Sequence, residues 1–419
     1  MSTDGAADTA GAVVVGASIA GVRTVQALRR AGYTGPVHLV GAEPHLPYDK
    51  PPLSKAVLAA DIPDPVPLLT QEQAEELDVV LHLGVPAEDL DTRGRRVLLA
   101  DGRALPYDHV VIATGAHARP SPWTPDSGLH VLRTLDDCRA LHADLRTALA
   151  TGGSVVVVGA GFIGAEVAST CRALGLEVTL VDPVAVPMAR ALGGVAGREM
   201  VELHHRHGAH TRFGVGVLDV SGRVGDLTVH LDDGSRLACA TVVVGIGADP
   251  QTDWLLSSDV ITDNGVVCDE TGRTSVPDVY ALGDVATWRV PGEARHRRLE
   301  HWTNAVDQSL VVALAIAQPE VPRSHRPNDF VWSDQYDWKL HVVGRPALGE
   351  RTVTVHNPDR GAGDVDRFAV LTEEGDDGLA GAVVVNWPGA SVQVRRALAG
   401  GAGFEAVTER VRGLVSSRG

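Results

Sequence analysis

The sequence predicts an α/β fold: two doubly wound, parallel-sheet units followed by a smaller α+β domain. Three observations carry this. Val13-Val14-Val15-Gly16-Ala17-Ser18-Ile19-Ala20-Gly21 and Val155-Val156-Val157-Val158-Gly159-Ala160-Gly161-Phe162-Ile163-Gly164 are two glycine-rich turns, each entered from a run of valines. Each reads as a buried strand, a tight turn and a helix start. The region after about residue 325 holds no third turn of this kind. Its short alternating segments, Arg351 to Val355 and Phe368 to Leu371, predict a small antiparallel sheet.

Small residues at such a turn let the backbone approach a pyrophosphate, and the helix N-terminus favours its negative charge. One turn is a weak signal. Two in one chain suggest two Rossmann-like domains binding two dinucleotides, and electron transfer between a nicotinamide and a flavin.

Composition bounds the classes. A chain of 419 residues exceeds one ordinary domain, and 44% hydrophobic residues allow large cores. A net charge of -16 argues against nucleic-acid binding, which needs a basic face. No apolar run is long enough to span a membrane, and Met1 to Ala10 lacks the basic and apolar regions of a signal peptide, so a cytoplasmic protein is expected. Cys138, Cys171, Cys239 and Cys268 show no C-x-x-C spacing and suit neither zinc nor an iron–sulfur cluster; inert thiols are expected. The only lysines are Lys50, Lys55 and Lys339, and the first two fall in one motif.

The elements follow in order. Residues 12–15 are expected as the first strand, Gly21 to Arg30 as its helix and Val37 to Val40 as the second strand. Gly16, Ser18, Ala20 and Gly21 form the first cradle, with Ser18 in place of its middle glycine. Glu43 lies just past the second strand, as an acceptor for an adenosine ribose or as a solvated loop acid. In Tyr48-Asp49-Lys50-Pro51-Pro52-Leu53-Ser54-Lys55 the prolines stiffen the chain and predict a helix starting at Leu53. Lys55 would be held there, although an isolated lysine reads first as a surface residue. Asp108 to Ala116 is expected as a buried strand closing on Thr114-Gly115.

Gly159, Gly161, Phe162, Ile163 and Gly164 form the second cradle. Glu166 is expected in the first helical turn, where a carboxylate also suits the helix dipole alone. Asp182 ends the strand Val178 to Val181; an acid there prefers a free ribose 2′-hydroxyl and favours NADH over NADPH, with no arginine cluster following directly. Gly245-Ile246-Gly247 ends another buried strand, and an extended segment delivers Gly283-Asp284 at a turn. Trp302, Trp332, Tyr336, Trp338 and Trp387 gather toward the carboxyl end.

With these residues in place the chain resembles the two-dinucleotide-binding-domain flavoproteins of glutathione-reductase-like fold, and among them the NADH-dependent ferredoxin reductases. The runs that carry the resemblance are Pro47 to Lys55, Ala113-Thr114-Gly115, Leu132-Arg133-Thr134-Leu135-Asp136-Asp137, Gly159 to Glu166, Gly245 to Pro250, Tyr280 to Asp284, Glu300 to Ala305 and Trp332 to Tyr336. The first and last are specific to this branch; the glycine turns belong to the whole superfamily. The departures are Ser18, Lys50 where arginine is commoner, and the late ribose acid.

The resemblance implies a discontinuous FAD domain at 8–118 and 248–325, an NADH domain at 119–247 and a C-terminal α+β domain at 326–419. It implies that Lys55 and Glu166 pair beside the flavin, that Asp284 holds its ribityl chain, and that Lys50, Arg133 and Trp302 contact FAD. Trp332 would stand near the flavin's outer face, and Lys339, Arg295, Arg297 and Arg298 would belong to a docking surface. Electrons would pass from NADH through FAD, singly, to a [2Fe–2S] ferredoxin serving a cytochrome P450 or ring-hydroxylating oxygenase, from a monomer or weak homodimer. A disulfide reductase would need a C-x-x-C near the flavin, and a thiol peroxidase or thiol-dependent NADH oxidase a cysteine before Tyr48; residues 41–49 hold none. A stand-alone NADH oxidase or tailoring flavoenzyme stays open, and so does a redox-signalling flavoprotein, which the net charge disfavours.

Overall fold

The structure is a computed structural model that describes residues 9–321, 323–359 and 365–416. The expected domain limits at residues 8 and 419 lie outside the described residues. The chain forms two compact units. The first comprises the chain up to Lys50, Pro65–His117 and Ala248–Asn328; the second comprises Pro51–Asp64, Ala118–Gly247 and the chain from Asp329 onward. The second glycine turn and the carboxyl-terminal sheet thus share a unit, and Pro51–Asp64 belongs with them.

In the first unit the strand Gly11–Val15 pairs in parallel with Val37–Gly41 on one side and Ala104–Ile112 on the other. Val79–Leu83 extends the sheet beyond Val37–Gly41, and Val279–Ala281 pairs in parallel with Ala104–Ile112. The first strand is buried along its whole length. A strand covered on both faces has no polar side, which is why it reads Gly-Ala-Val-Val-Val. The following helix, Ile19–Arg30, begins two residues before the expected start and packs on helix Trp302–Ala317. On the paired strands Val37–Gly41 and Val79–Leu83, His38 and His82 are buried together, Nδ1 to Nε2 at 3.0 Å, and the other ring nitrogen of His82 lies 2.9 Å from the Arg103 guanidinium.

The second unit repeats the design. Its parallel sheet runs His210–Phe213, Glu177–Asp182, Ser154–Val158, Thr241–Val244 and Leu129–His130. Helix Phe162–Ala173 follows the central strand. Helix Leu135–Thr151 opens with a reciprocal cap: Thr134 Oγ accepts from the Asp137 amide at 3.1 Å, and Asp137 accepts from the amides of Thr134 at 2.8 Å and Arg133 at 3.0 Å. The Arg-Thr-Leu-Asp-Asp run is thereby a helix start, with orphan amides satisfied reciprocally.

The expected antiparallel sheet is present and larger than the two segments that suggested it. Its order is Phe330–Gln335, Trp338–Gly344, Gly378–Val385, Phe368–Glu374 and Arg351–His356. Helices Pro388–Gly400 and Phe404–Ser416 cover one face with Val394, Phe404, Val407 and Val411, all fully buried.

The proline run departs from expectation. Pro51–Ser54 forms a 3-10 turn, Lys55 leaves the helical region at φ -125° and ψ -112°, and a one-turn helix Ala56–Ala59 follows. Proline has no N–H to satisfy at a helix start, so the turn forms at the prolines themselves, two residues before Leu53.

Candidate active site

The first cradle is set by backbone clearance. Gly16 takes φ +120°, and a Cβ there would lie 2.1 Å from the Ala113 carbonyl oxygen; at Gly21 it would lie 1.9 Å from the Gly16 carbonyl oxygen. No side chain fits either place. Ser18 is the N-cap of Ile19–Arg30 and its hydroxyl makes no capping bond, so it does not compete for the helix's first amides. Gly283 packs onto the same turn, where its Cβ would stand 3.1 Å from that of Ala20, and Asp284 follows in a 3-10 turn. Strand Val279–Ala281 thus delivers Asp284 to the helix N-terminus. Thr114 Oγ1 donates to the Gln251 carbonyl at 2.9 Å, and Gly115 takes φ +71°.

Glu43 is not a solvated loop acid. Lys50 Nζ lies 2.7 Å from its Oε1 and the Tyr48 hydroxyl donates to its Oε2. Trp302 Nε1 donates to Asp49 Oδ1 at 3.1 Å. The Tyr-Asp-Lys run therefore ties Glu43 and Trp302 to one loop.

The second cradle copies the first. A Cβ at Gly159 would meet the Gly245 carbonyl oxygen at 2.3 Å, and one at Gly164 would meet that of Gly159 at 1.9 Å. Gly161, the N-cap of helix Phe162–Ala173, differs: its Cβ would find no atom within 4 Å. That opening above a helix N-terminus fits a pyrophosphate. Ile163 stands 46% exposed, while Phe162 packs against the apolar cluster around Leu192 and Trp338. Asp182 accepts from the Ala160 amide at 2.9 Å and the Val184 amide at 2.8 Å, which fixes its carboxylate beside the turn. Gly247 takes φ +112°, and Arg119, which the sequence did not single out, donates to the Ile246 carbonyl at 3.3 Å.

Glu166 is in the second turn of its helix, not the first, so a helix-dipole role does not account for it. Its side chain is 4% exposed and pairs with Lys55, Nζ to Oε2, at 2.8 Å. Ser54 Oγ donates to the same oxygen at 2.5 Å and Ser333 Oγ to Oε1 at 2.5 Å. Gln335 Nε2 donates to Ser333 Oγ at 3.1 Å. Lys55 Nζ also donates to the Pro51 carbonyl at 3.2 Å. A charge taken from water is tolerable only when paired and hydrogen-bonded, and this carboxylate meets both conditions. Lys55 is thus no surface lysine. Ser54, Ser333 and Gln335 were not among the residues the sequence singled out; their one signal was that two motif runs each carry a serine.

The four cysteines are free and buried. Burial pushes the Cys138 thiol up to about 11 and those of Cys171 and Cys239 up to about 12. Thiols held so far above neutrality are poor nucleophiles, and no disulfide exchange is built here. Of the basic residues proposed for docking, Arg297 pairs with Glu293 at 3.3 Å and Arg298 with Glu300 at 2.5 Å, while Lys339 is exposed. Arg133 and Trp332 are half-buried. Among the described residues no helix is long and apolar enough to cross a membrane, and no cluster could hold a metal ion.

Residues 11–309 match the family described as pyridine nucleotide-disulphide oxidoreductase, and residues 330–409 match the reductase C-terminal domain. The chain is 36% identical to rhodocoxin reductase of Rhodococcus erythropolis, over 92% of this chain and 89% of that protein. It is 34% identical to the ferredoxin–NAD(+) reductase component of the p-cumate 2,3-dioxygenase system of Pseudomonas putida, over 92% of each. Among solved structures it resembles the ferredoxin reductase for the CYP199A2 system from Rhodopseudomonas palustris, with a TM-score of 0.86, 31% identity and coverage of 94% and 96%. It also resembles the reductase in the covalent putidaredoxin reductase–putidaredoxin complex, with a TM-score of 0.83, 30% identity and coverage of 93% of each chain. Both glycine cradles and these likenesses agree: the chain belongs to the pyridine nucleotide-disulphide oxidoreductase family, binds FAD and NAD(H), and carries the C-terminal domain of its reductases.

Proposed function

We propose that this protein is an NADH:ferredoxin reductase that delivers electrons to a [2Fe–2S] ferredoxin serving a cytochrome P450 or a ring-hydroxylating oxygenase. The observation that carries the reading is the buried Lys55–Glu166 pair, in a chain with two dinucleotide cradles and no redox-active cysteine pair. Relatives named as ferredoxin–NAD(+) reductase components, matched over nearly the whole chain, support the acceptor class.

Bound FAD would supply the hydride-accepting and one-electron-donating chemistry, while the protein supplies position and charge. Gly16, Ser18, Ala20, Gly21, Glu43, Lys50, Lys55, Thr114, Gly115, Arg133, Gly283, Asp284 and Trp302 would hold it. Gly159, Gly161, Phe162, Ile163, Gly164, Glu166, Asp182, Gly245, Ile246 and Gly247 would hold NADH. Asp182 excludes a 2′-phosphate by charge, and its two backbone bonds prevent it from turning away. Lys55 offers a fixed ammonium to negative charge on the reduced cofactor. The domain limits 8–118 with 248–325, 119–247 and 326–419, a cytoplasmic setting and a monomer or weak homodimer belong to the same proposal.

The test is NADH-driven cytochrome c reduction by the FAD-loaded protein, with and without a [2Fe–2S] ferredoxin. A large ferredoxin-dependent rise is expected, and NADPH should serve far less well. Bleaching of the flavin by NADH without any ferredoxin-dependent rise in cytochrome c reduction would replace this reading with a stand-alone oxidase or tailoring flavoenzyme.

A further inference from the structure

Lys55 has three N–H donors. Among the described residues two are engaged, by Glu166 Oε2 at 2.8 Å and the Pro51 carbonyl at 3.2 Å. The third direction is therefore set by how firmly those two acceptors are held. Pro51 is held by its turn. Glu166 sits on a long side chain and needs clamping, and the clamp comes from both sides: Ser54 on Oε2 and Ser333 on Oε1.

Ser333 is fully buried on strand Phe330–Gln335. A hydroxyl donates one proton and accepts elsewhere. Gln335, also fully buried, donates its amide to Ser333 Oγ, so the Ser333 proton is directed to Glu166. The chain Gln335, Ser333, Glu166, Lys55 thus has one sense of donation on the carboxylate. Asp334, between the two, alternates to the opposite face and is exposed, so it does not compete.

We propose that Ser333, oriented by Gln335, is a positioning residue: it locks the Glu166 carboxylate so that Lys55 presents its third N–H to the bound cofactor in one fixed direction. The carboxyl-terminal domain would then act on the reductive step itself, in addition to any part in handing electrons on. The inference rests on the reading of Lys55 and Glu166 as the flavin-side pair.

The scarcity of lysine gives a direct test. Lys50, Lys55 and Lys339 are the only lysines, so each can be followed separately by mass spectrometry after brief acylation with an amine-reactive ester. In the full-length protein freed of FAD, Lys55 should label more slowly than exposed Lys339. In Ser333→Ala the Lys55 to Lys339 ratio should rise several-fold, and Ser333→Thr, which keeps the hydroxyl, should restore it.

In the FAD-loaded protein Ser333→Ala should slow NADH-driven flavin bleaching at saturating NADH about ten-fold, the scale of one hydrogen bond to a charged group. The NADH concentration giving half the maximal rate should change less than about three-fold, and the flavin midpoint potential should move negative. Unchanged labelling and potential in Ser333→Ala would overturn the proposal, as would a loss that Ser333→Thr fails to rescue. Ser54→Ala removes the opposite clamp and should shift the same readouts in the same direction. It decides the matter should Ser333→Ala not fold. None of these readouts involves ferredoxin, so failure of the acceptor assignment and failure of this inference are distinguishable.

Discussion

Glu166 shows how much one residue can depend on its partners. Its carboxylate receives an ammonium and two hydroxyls while almost hidden from solvent. Removing one member of a buried pair leaves an uncompensated charge, whereas replacing both with apolar groups is often nearly neutral. Lys55→Met should therefore destabilise the protein by about 3 kcal/mol. Lys55→Met with Glu166→Leu should recover much of that loss while remaining slow in NADH-driven flavin bleaching. Urea unfolding of the two variants checks the order. A double variant less stable than the single one would mean that the pair contributes net stability instead of function. The sequence placed Lys55 and Glu166 as candidates, yet on spacing alone each had an ordinary explanation, a surface lysine and a helix-start acid. What removed those explanations was burial. It depends on the chain folding Pro51–Asp64 back onto helix Phe162–Ala173, and local pattern does not report that.

At the level of elements the two glycine turns look alike in sequence but their glycines serve different ends. Gly164 has no room for a methyl group, because the Gly159 carbonyl oxygen occupies the place. Gly161 has room and takes an ordinary extended conformation at φ -75°, so neither packing nor backbone strain requires its missing side chain, and the proposed pyrophosphate site accounts for it. Gly164→Ala should accordingly cost about 3 kcal/mol in stability by overpacking. Gly161→Ala should change stability by less than about 0.5 kcal/mol, as an exposed unstrained substitution does. It should still raise the NADH concentration needed for half-maximal flavin bleaching at least about ten-fold. Thermal unfolding and a NADH titration separate the two effects, and a Gly161→Ala protein with unaltered NADH affinity would remove this turn from the site. The turns were legible because a buried strand followed by small residues has few other uses. The 3-10 turn at Pro51–Ser54 was not, since prolines announce a helix start without saying which kind. The capping box at Thr134 lay inside a run recognised by resemblance, where its local role went unseen.

Across the whole molecule the two units share a weakness at mild acidity. In the first, burial, the neighbouring His38 and the Arg103 guanidinium hold His82 down at about 4. In the second, burial and then the nearby His205 and His207 hold His204 down at about 4; its Nδ1 lies 3.0 Å from the Tyr336 hydroxyl. Both are neutral in the folded protein at neutral pH, and in the unfolded chain both titrate near 6.5. Between about pH 6.5 and 4 the unfolded chain binds protons that the folded chain refuses, so stability must fall as pH falls through that window. Above it neither group contributes a slope. Each histidine contributes a loss of about 3 kcal/mol across the full window. Urea midpoints should be flat from about pH 8 to 7 and drop steadily from about pH 6.5 to 4.5. His82→Gln and His204→Gln should each flatten part of that drop, whatever they do to stability near neutral pH. A slope in that acid window that survives both substitutions intact would remove His82 and His204 as its source and assign the acid lability to the other histidines that burial holds down, His38, His109 and His341.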